Sequence, residues 1–366
     1  MAMYGATIGR LGMLGIEATV NQACCAFAWP TIIDGRYLFF WLLMRRPILV
    51  SLSTGGGQPN LSQDDLRQIR IPLPPLHEQH AIAAFLGTQT SKLDALIAKK
   101  HELIAKLQEK RAALITRTVT HGLPPKAAKA AGLDPHPKMK DSGVEWLGEV
   151  PECWEVKRLR FAVSKIEQGW SPQCYNHEAE NGEWGVLKVG CVNMFRFNPD
   201  QNKALPEELE PKVEYKIEEN DILMSRANTR ELLGSAALVE RLPETKLLLC
   251  DKLYRIRATP KLHPSFLVYF MSTAKARFHF EREATGTSGS MQNIGQDTVK
   301  NLPILIPPCV EQLTILEYIQ QRLKCIDIIM ERAESVIRIL QEYRSALITA
   351  AVTGKIDVRN IPPEAA

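Results

Sequence analysis

One stretch constrains the fold of this chain more than any other, because the chain writes it twice. Residues 74–120 read PPLHEQHAIAAFLGTQTSKLDALIAKKHELIAKLQEKRAALITRTVT, and the copy opening at Pro307 reads PPCVEQLTILEYIQQRLKCIDIIMERAESVIRILQEYRSALITAAVT. The copies align without a gap, 233 positions apart. A repeat of this size fixes architecture before any short motif does. Each copy opens on a double proline, Pro74-Pro75 or Pro307-Pro308. Proline suits a helix start, where its ring presets φ and its missing N–H is not needed. Apolar pairs then recur at steps of three, four and seven: Ile82/Ile315, Leu86/Ile319, Leu93/Ile326, Leu96/Ile329, Ile97/Met330, Leu103/Val336, Ile104/Ile337, Leu107/Leu340, Leu114/Leu347 and Ile115/Ile348. That spacing predicts one apolar stripe per helix. Some forty residues at 1.5 Å each make a rod on the order of 60 Å long.

A rod cannot hide its stripe alone. Two rods with the same stripe pack most simply on each other as a coiled coil. The plainer alternative is two amphipathic helices docked on separate cores. Matching length and register favour pairing, and the candidate pairing residues are Leu86, Leu93, Ile97, Ile104, Leu107 and Leu114 with Ile319, Ile326, Met330, Ile337, Leu340 and Leu347.

With 366 residues there is room for two or three domains. A net charge of +4 and a pI near 8.5 permit a polyanionic partner without demanding one. The eight cysteines form no CxxC pair and no cluster with histidine at metal spacing. They read as thiols of a reduced, cytoplasmic protein. No signal peptide is evident at Met1. The apolar run at residues 37–44 is too short to span a bilayer, so no membrane partner is expected.

In chain order, residues 1–35 predict short strands punctuated by Gly5, Gly9, Gly12 and Gly15. These glycines read as turns, since no Lys-Ser/Thr follows to make a phosphate loop. A helix is expected over 36–46, then a polar glycine loop from Ser53 to Asn60, then a strand over 69–73. The second half repeats this order. DILMSRANT (221–229) resembles the opening, residues 266–271 match the apolar helix, 286–293 match the glycine loop with Asn293 on Asn60, and 302–306 match the strand. About eighty residues, 139–220, precede this order in the second half and have no counterpart in the first. The chain is therefore expected to start inside its first module, leaving unpaired strand edges. Residues 120–141, rich in Pro, Ala, Gly and Lys, have linker chemistry. The expected divisions are 1–73, 74–120, 121–140, 141–306, 307–354 and 355–366.

The segment DSGVEWLGEVPECWEVKRLR (141–160) resembles the opening of a target recognition domain in the DNA specificity subunit of type I restriction-modification systems. IRIPLPPLHEQHAIAAFL (69–86) and LPILIPPCVEQLTILEYI (302–319) resemble that family's junctions into its long helices, and YGATIGRLG with NQACCAF resembles the middle of a recognition domain. The resemblance implies an α+β fold. Two β-rich recognition domains, the first one partial, are separated by two long antiparallel helices forming a coiled coil, with an internal pseudo-twofold repeat. It implies a non-catalytic chain that reads a bipartite double-stranded DNA target and docks modification and restriction subunits. S-adenosylmethionine, ATP and Mg²⁺ belong on those partners, where adenine methylation and ATP-dependent cleavage occur, and none on this chain. Half-sites about one DNA turn apart, roughly 34 Å, need readers on a stiff spacer.

Base edges are read by Arg, Lys, Asn and Gln, and phosphates by basic groups and backbone N–H. In the second module the candidates are Arg226, Asn228, Thr229 and Arg230, with Thr287, Ser288, Ser290, Gln292 and Asn293 in the glycine loop. Lys157, Arg158, Arg160, Lys188 and Arg196 join them as basic residues. In the first module the candidates are Tyr4, Thr7 and Arg10, with Gln58 and Asn60. Each exposed basic residue equally suits plain solvation of a surface. Two other classes stay open. Asp200 with Glu214 and Lys216 has the letters of a metal-dependent nuclease, which requires those groups to converge on adjacent strands. The rods alone would also suit a scaffold that ignores DNA. A methyltransferase is excluded, because Asn198-Pro199-Asp200 lacks the second proline and the aromatic of that motif.

Overall fold

The computed structural model describes residues 1–28, 31–53, 60–193, 195–285 and 292–359. Among these, helices are α1 (Gly35–Ser51), α2 (Gln63–Arg67), α3 (Leu76–His121), α4 (Pro125–Ala130), α5 (Pro264–Met271), α6 (Ala274–Glu283), α7 (Gln296–Lys300) and α8 (Cys309–Val352). Strands are β1 (Met139–Asp141), β2 (Glu149–Pro151), β3 (Glu155–Arg158), β4 (Val163–Gln168), β5 (Trp184–Leu187), β6 (Val192–Asn193), β7 (Arg196–Phe197), β8 (Asn202–Ala204), β9 (Ile222–Ser225), β10 (Ala227–Asn228), β11 (Ala236–Leu238), β12 (Lys246–Leu248), β13 (Leu253–Ala258), β14 (Gln292–Asn293) and β15 (Pro303–Ile306). The chain divides into two compact units, Met1–Lys106 with Ile328–Ala366, and Leu107–Asp327. Both cuts fall inside the long helices, so each long helix contributes to both units.

Unit 2 is built on a sheet ordered β11-β9-β13-β4, all antiparallel, beside a three-stranded sheet ordered β12-β5-β8. Its main core packs α5 and α6 (Phe266, Phe270, Phe280) with Trp154, Leu159, Ile222, Ile256 and the helix residues Ile115, Val119, Ile315 and Ile319. Trp154 is fully buried, edge-on to Phe266, and its Nε1–H donates to Glu311 at 3.0 Å. Burial, which disfavours the charged form, pushes the Glu311 carboxyl up. A second core lies under the three-stranded sheet, where burial pushes the thiol of Cys250 up to about 12. Residues 121–140 are more than a linker. They form α4, and its Ala128 is buried in the main core.

Unit 1 has its own core of Tyr37, Phe40, Trp41, Leu49, Leu61 and Leu66 with Leu86 from α3 and Ile348, Ala351 and Val352 from α8. Three sequence expectations need correction here. The apolar helix does not stop at Arg46. It runs through Pro47 to Ser51, because burial of Leu49 outweighs the lost backbone bond. Among the described residues of 1–34, the pairing is limited to isolated bridges, Ala2 with Cys24 and Tyr4 with Asn60, around the 3-10 turn Gly5–Thr7. Residues 69–73 form no strand, whereas their counterpart β15 does, because β3 pairs with it.

The long helices pair antiparallel within each unit. Arg344 in α8 clamps Asp94 in α3 at 2.8 and 3.1 Å, and Arg111 in α3 binds Asp327 in α8. These pairs are one pair repeated, since 94 and 327, like 111 and 344, stand 233 apart. The less exposed positions step alternately by four and three: 86, 90, 93, 97, 100, 104, 107, 111, 114 in α3, and 319, 323, 326, 330, 333, 337, 340, 344, 347 in α8. That is a 3.5-residue seam. Leu86 and Ile319 are fully buried, Ile326 and Ile337 are buried, and Leu93, Ile97, Ile104, Leu107, Leu114, Met330, Leu340 and Leu347 are half-buried along it. Leu96, Leu103, Ile329 and Val336 are exposed. They flank the seam, which is narrower than the stripe read from helical spacing.

The repeat is also written in hydrogen bonds. Gln79 donates to the carbonyls of Pro74 and Ile32 and accepts from the N–H of Asp34. Gln312 does the same with Pro307, Lys261 and His263. Each glutamine is about 1 % exposed and ties a long helix to the loop before the apolar helix.

Candidate nucleic-acid interface

The two best candidate stretches of the second module, some sixty residues apart in sequence, are brought together. β10 pairs with β14, setting Ala227 opposite Asn293 and Asn228 opposite Gln292. The N–H of Ile294 donates to the carbonyl of Arg226 at 2.8 Å. Thr285 and Asn293 exchange two backbone bonds of 2.9 Å, closing the base of the glycine loop. Loop candidates Thr287, Ser288 and Ser290 lie outside the described residues. Asn228 is held from both ends, its Nδ2 donating to Ser225 Oγ at 3.2 Å and its Oδ1 accepting from the N–H of Thr229 at 2.9 Å. Thr229 and Arg230 are exposed, and Arg230 reaches Glu281 at 3.3 Å. An exposed pair of this kind is weak and yields readily to a stronger anion.

Arg226 is engaged by neighbouring groups. It is half-buried, its Nη1 donates to the carbonyl of Asp251 at 3.1 Å, and its guanidinium lies 5.8 Å from the centroid of Tyr254. These contacts hold its side chain against the segment that carries β13. The turn after β10 closes through Gly234, at φ 75°, where a Cβ would stand 2.7 Å from the ring of Phe280.

Other basic candidates sit on other elements. Lys157 on β3 pairs with Glu155 at 2.5 Å, Arg158 reaches Asn301 at 3.4 Å, and Arg160 covers Phe161 at 4.9 Å. Lys188 is half-buried after β5, and Arg196 is exposed on β7. None of these strands pairs with β10 or β14. Two neighbours escaped sequence reading. Lys252 is exposed, and its carbonyl accepts from Arg226 N–H. Ser171 donates to Asp251, beside the Arg226 contact. Only cross-strand pairing places them, so no local pattern marks them.

Behind this ladder, a buried charge cluster holds β9, β13 and β4 together. Arg255 and Asp221 are each about 1 % exposed. Arg255 donates to Glu167 and to the carbonyls of Lys216 and Glu214, and stands 3.6 Å from Asp221. Arg257 donates to Asp221 at 2.6 Å and meets Glu218 at 2.8 Å. Burial pulls Arg255 down, while the Asp221 hydrogen bond pushes Arg257 up. Glu214 and Lys216 therefore serve this frame through their carbonyls. Asp200 sits in a turn and Glu214 in the 3-10 turn Val213–Tyr215, not on the adjacent strands a nuclease site needs. No group of three or more metal-binding side chains occurs among the described residues.

Unit 1 presents the same frame with other side chains. The Tyr4–Asn60 bridge mirrors Ala227–Asn293, with Leu61 N–H donating to Met3 as Ile294 does to Arg226. Tyr4 thus takes the place of Ala227, and buried Met3 the place of Arg226, a register the sequence comparison did not resolve. Tyr4, Thr7, Arg10 and Asn60 are exposed, and Gln58 lies outside the described residues.

The fold and this ladder describe a duplicated module that carries a short strand pair, on helices that pair. The family model for the type I restriction modification DNA specificity domain matches residues 1–109 and 151–338, and the chain belongs to that family. It is 26% identical over 253 residues to the EcoEI specificity subunit of Escherichia coli, covering 69% of this chain and 40% of that relative. It is 27% identical over 334 residues to the MjaVIII specificity subunit of Methanocaldococcus jannaschii, covering 90% and 72%. Against the EcoKI specificity subunit of Escherichia coli the figures are 25% over 309 residues, covering 84% and 62%. The chain thus spans between two fifths and three quarters of these relatives. A chain solved in a study of complex assembly and conformational transition of the type I R-M system matches at TM-score 0.58 and 17% identity, covering 89% of this chain and 72% of that one. No helix among the described residues is long and apolar enough to cross a membrane.

Proposed function

We propose that this chain is a non-catalytic, DNA-reading specificity subunit whose two modules each present the β10–β14 type of ladder to double-stranded DNA. One observation carries the reading: the same backbone frame occurs in both units with different side chains, Tyr4 and Asn60 in one, Ala227, Asn228, Gln292 and Asn293 in the other. A conserved frame with changed side chains is what two readers of unlike half-sites require. Asn228, Gln292 and Asn293 carry the base-reading chemistry, since amide side chains pair in bidentate fashion with adenine. Thr229, Arg230 and Lys252 supply backbone contacts, and Arg226 positions the strand. Modification and restriction subunits are the protein partners. S-adenosylmethionine, ATP and Mg²⁺ are carried by them, and this chain holds none of the three.

The test is methylome sequencing of cells carrying this chain with a modification subunit, alongside DNA binding across salt. Specific affinity should fall steeply with salt as phosphate-bound counterions are released. A flat salt response together with no methylated motif overturns the reading and leaves a protein-binding scaffold.

A further inference from the structure

The two faces of the β10–β14 ladder carry different chemistry. Opposite residues of an antiparallel pair share a face, and so do residues two apart on one strand. The bond from Ile294 N–H to the Arg226 carbonyl extends the register by one pair. Arg226, Asn228, Gln292 and Ile294 therefore stand on one face, and Ala227 and Asn293 on the other. Arg226 and Gln292 are diagonal neighbours, at a spacing of about 7–8 Å that long side chains bridge.

Each of the two leaves a polar atom unmatched. Arg226 Nε and Gln292 Oε1 are both sealed from water with no hydrogen-bond partner among the described residues. The first is a donor and the second an acceptor. Asn228, directly across from Gln292, is already committed to Ser225 and Thr229. Gln292 Nε2 is neither sealed nor bonded among the described residues. The charge on Arg226 sets which end of the amide turns inward, because a guanidinium attracts the amide oxygen and repels the NH₂ group. The repeat also drops the two residues together. Met3 stands where Arg226 does, and Pro59, next to Asn60, stands where Gln292 does, so unit 1 has neither the donor nor the acceptor.

We propose that Arg226 is a positioning residue for Gln292, its Nε–H holding Oε1 inward so that Gln292 shows only its NH₂ group to DNA and reads guanine. A group that only donates suits the N7 and O6 acceptors of guanine in the major groove. Adenine sets a donor, its N6 amino group, beside N7, and the N4 amino group of cytosine is a donor too; neither meets an acceptor. The inference rests on the DNA reading and narrows it, giving Gln292 a base unlike the adenine that Asn228 and Asn293 suit.

The test selects the duplexes that the full chain binds from a random pool, for the wild type and for Gln292→Glu, Gln292→Lys and Arg226→Leu. Gln292→Glu, which only accepts, should move one position of the selected motif from guanine to cytosine and bind the original duplex about tenfold more weakly. Gln292→Lys, which only donates, should keep guanine there. Arg226→Leu frees the amide to turn over. The preference for guanine over adenine at that same position should then fall about tenfold, with affinity for random DNA and its salt slope unchanged. Where Arg226→Leu fails to fold by circular dichroism, Arg226→Lys, which keeps the charge and lacks the Nε–H, takes its place. Adenine at the position that Gln292→Glu alters, or no altered position at all, overturns the inference and leaves the DNA reading standing. So does an Arg226 variant that weakens every sequence alike, which is what a merely structural role gives. A wild-type chain that selects no motif overturns both.

Discussion

Units 1 and 2 share a skeleton and differ in what surrounds it. Gln79 and Gln312 make the same three hydrogen bonds, Gly9 and Gly234 close the same turn at φ 71° and 75°, and the Tyr4–Asn60 bridge repeats Ala227–Asn293. Unit 2 adds a four-stranded and a three-stranded sheet, three further strand pairs and a buried Arg–Asp–Glu cluster. Unit 1 fills part of the equivalent space from elsewhere. Arg359, after α8, reaches Glu78 at 3.5 Å, while in unit 2 the matching Glu311 accepts from Trp154. The difference teaches that the ladder and the helix junction keep the same hydrogen bonds in two different surroundings.

The largest expected effect probes support found only in unit 2. Asp221→Ala leaves Arg255 and Arg257 without their shared carboxylate in a buried site. Removing one member of a buried ionic cluster costs about 3–5 kcal/mol. Hydrogen exchange in urea, resolved by segment, should place that loss at β9, β13 and β4 and leave residues 35–51 protected. Equal loss in both units would mean the cluster is not local support.

A second measurement breaks or sharpens the equivalence itself. Gln79→Leu and Gln312→Leu each leave two carbonyls and one N–H, most of them part-buried, without their glutamine partner. The cost is about 3 kcal/mol apiece, since each buried orphan costs roughly 1–3 kcal/mol and partial rehydration offsets some of it. Urea midpoints should fall by similar amounts. A difference above about 1 kcal/mol, well beyond ordinary scatter between independent sites, would show that the two junctions carry unequal loads.

The frame was legible in sequence where it is local and periodic. The double prolines, the helical spacing and the repeat gave both long helices nearly to their ends. The apolar stripe read from helical spacing, which held Leu96 and Val336, is broader than the seam, because a 3.6-residue stripe is broader than a 3.5-residue contact. What was illegible depends on partners distant in sequence. Nothing in IRIPL distinguishes it from LPILI, yet only the second is a strand, because only it meets β3. Likewise Arg226 looks like an ideal base reader in SRANTR. Its contacts with Asp251 and Tyr254, both from the segment around β13, turn it inward. The pairing of Asn228 with Gln292, by contrast, confirms that two stretches chosen for their chemistry share one ladder.

A third effect compares the ladders as readers. Asn228→Ala or Gln292→Ala should lower discrimination between specific and random DNA by about 10- to 100-fold, the 1–3 kcal/mol of a bidentate base contact. Asn60→Ala, at the unit 1 counterpart of Asn293 on the same ladder, should alter a different position of the methylated motif. Arg230→Ala should weaken all sequences alike and reduce the salt slope by about one. Competition binding at two salt concentrations separates these outcomes. Loss of discrimination at Arg230 with none at Asn228 would invert the assignment of roles.

The smallest effect lies at one helix cap that the units build differently. Asp34 caps α1 by accepting from the N–H groups of Arg36 and Tyr37, while His263 caps α5 through Nδ1, accepting from Ser265 N–H at 3.2 Å. A histidine can accept there only while neutral, and burial pulls its pKa below the ordinary value. As pH falls through about 6.5, the unfolded chain takes the proton before the folded one does, so the stability this cap gives is full above that range and lost below it. Burial also pulls down His121 and His279 in the same unit, which should add to the same acid loss. Replacing His263→Asp copies the cap of unit 1. It should recover up to about 1 kcal/mol at pH 5, the usual worth of an N-cap, with little change at pH 8. Thermal melts at both pH values decide it. An unchanged gap between the two melts would mean that His121 and His279, not the cap, carry the acid sensitivity of unit 2.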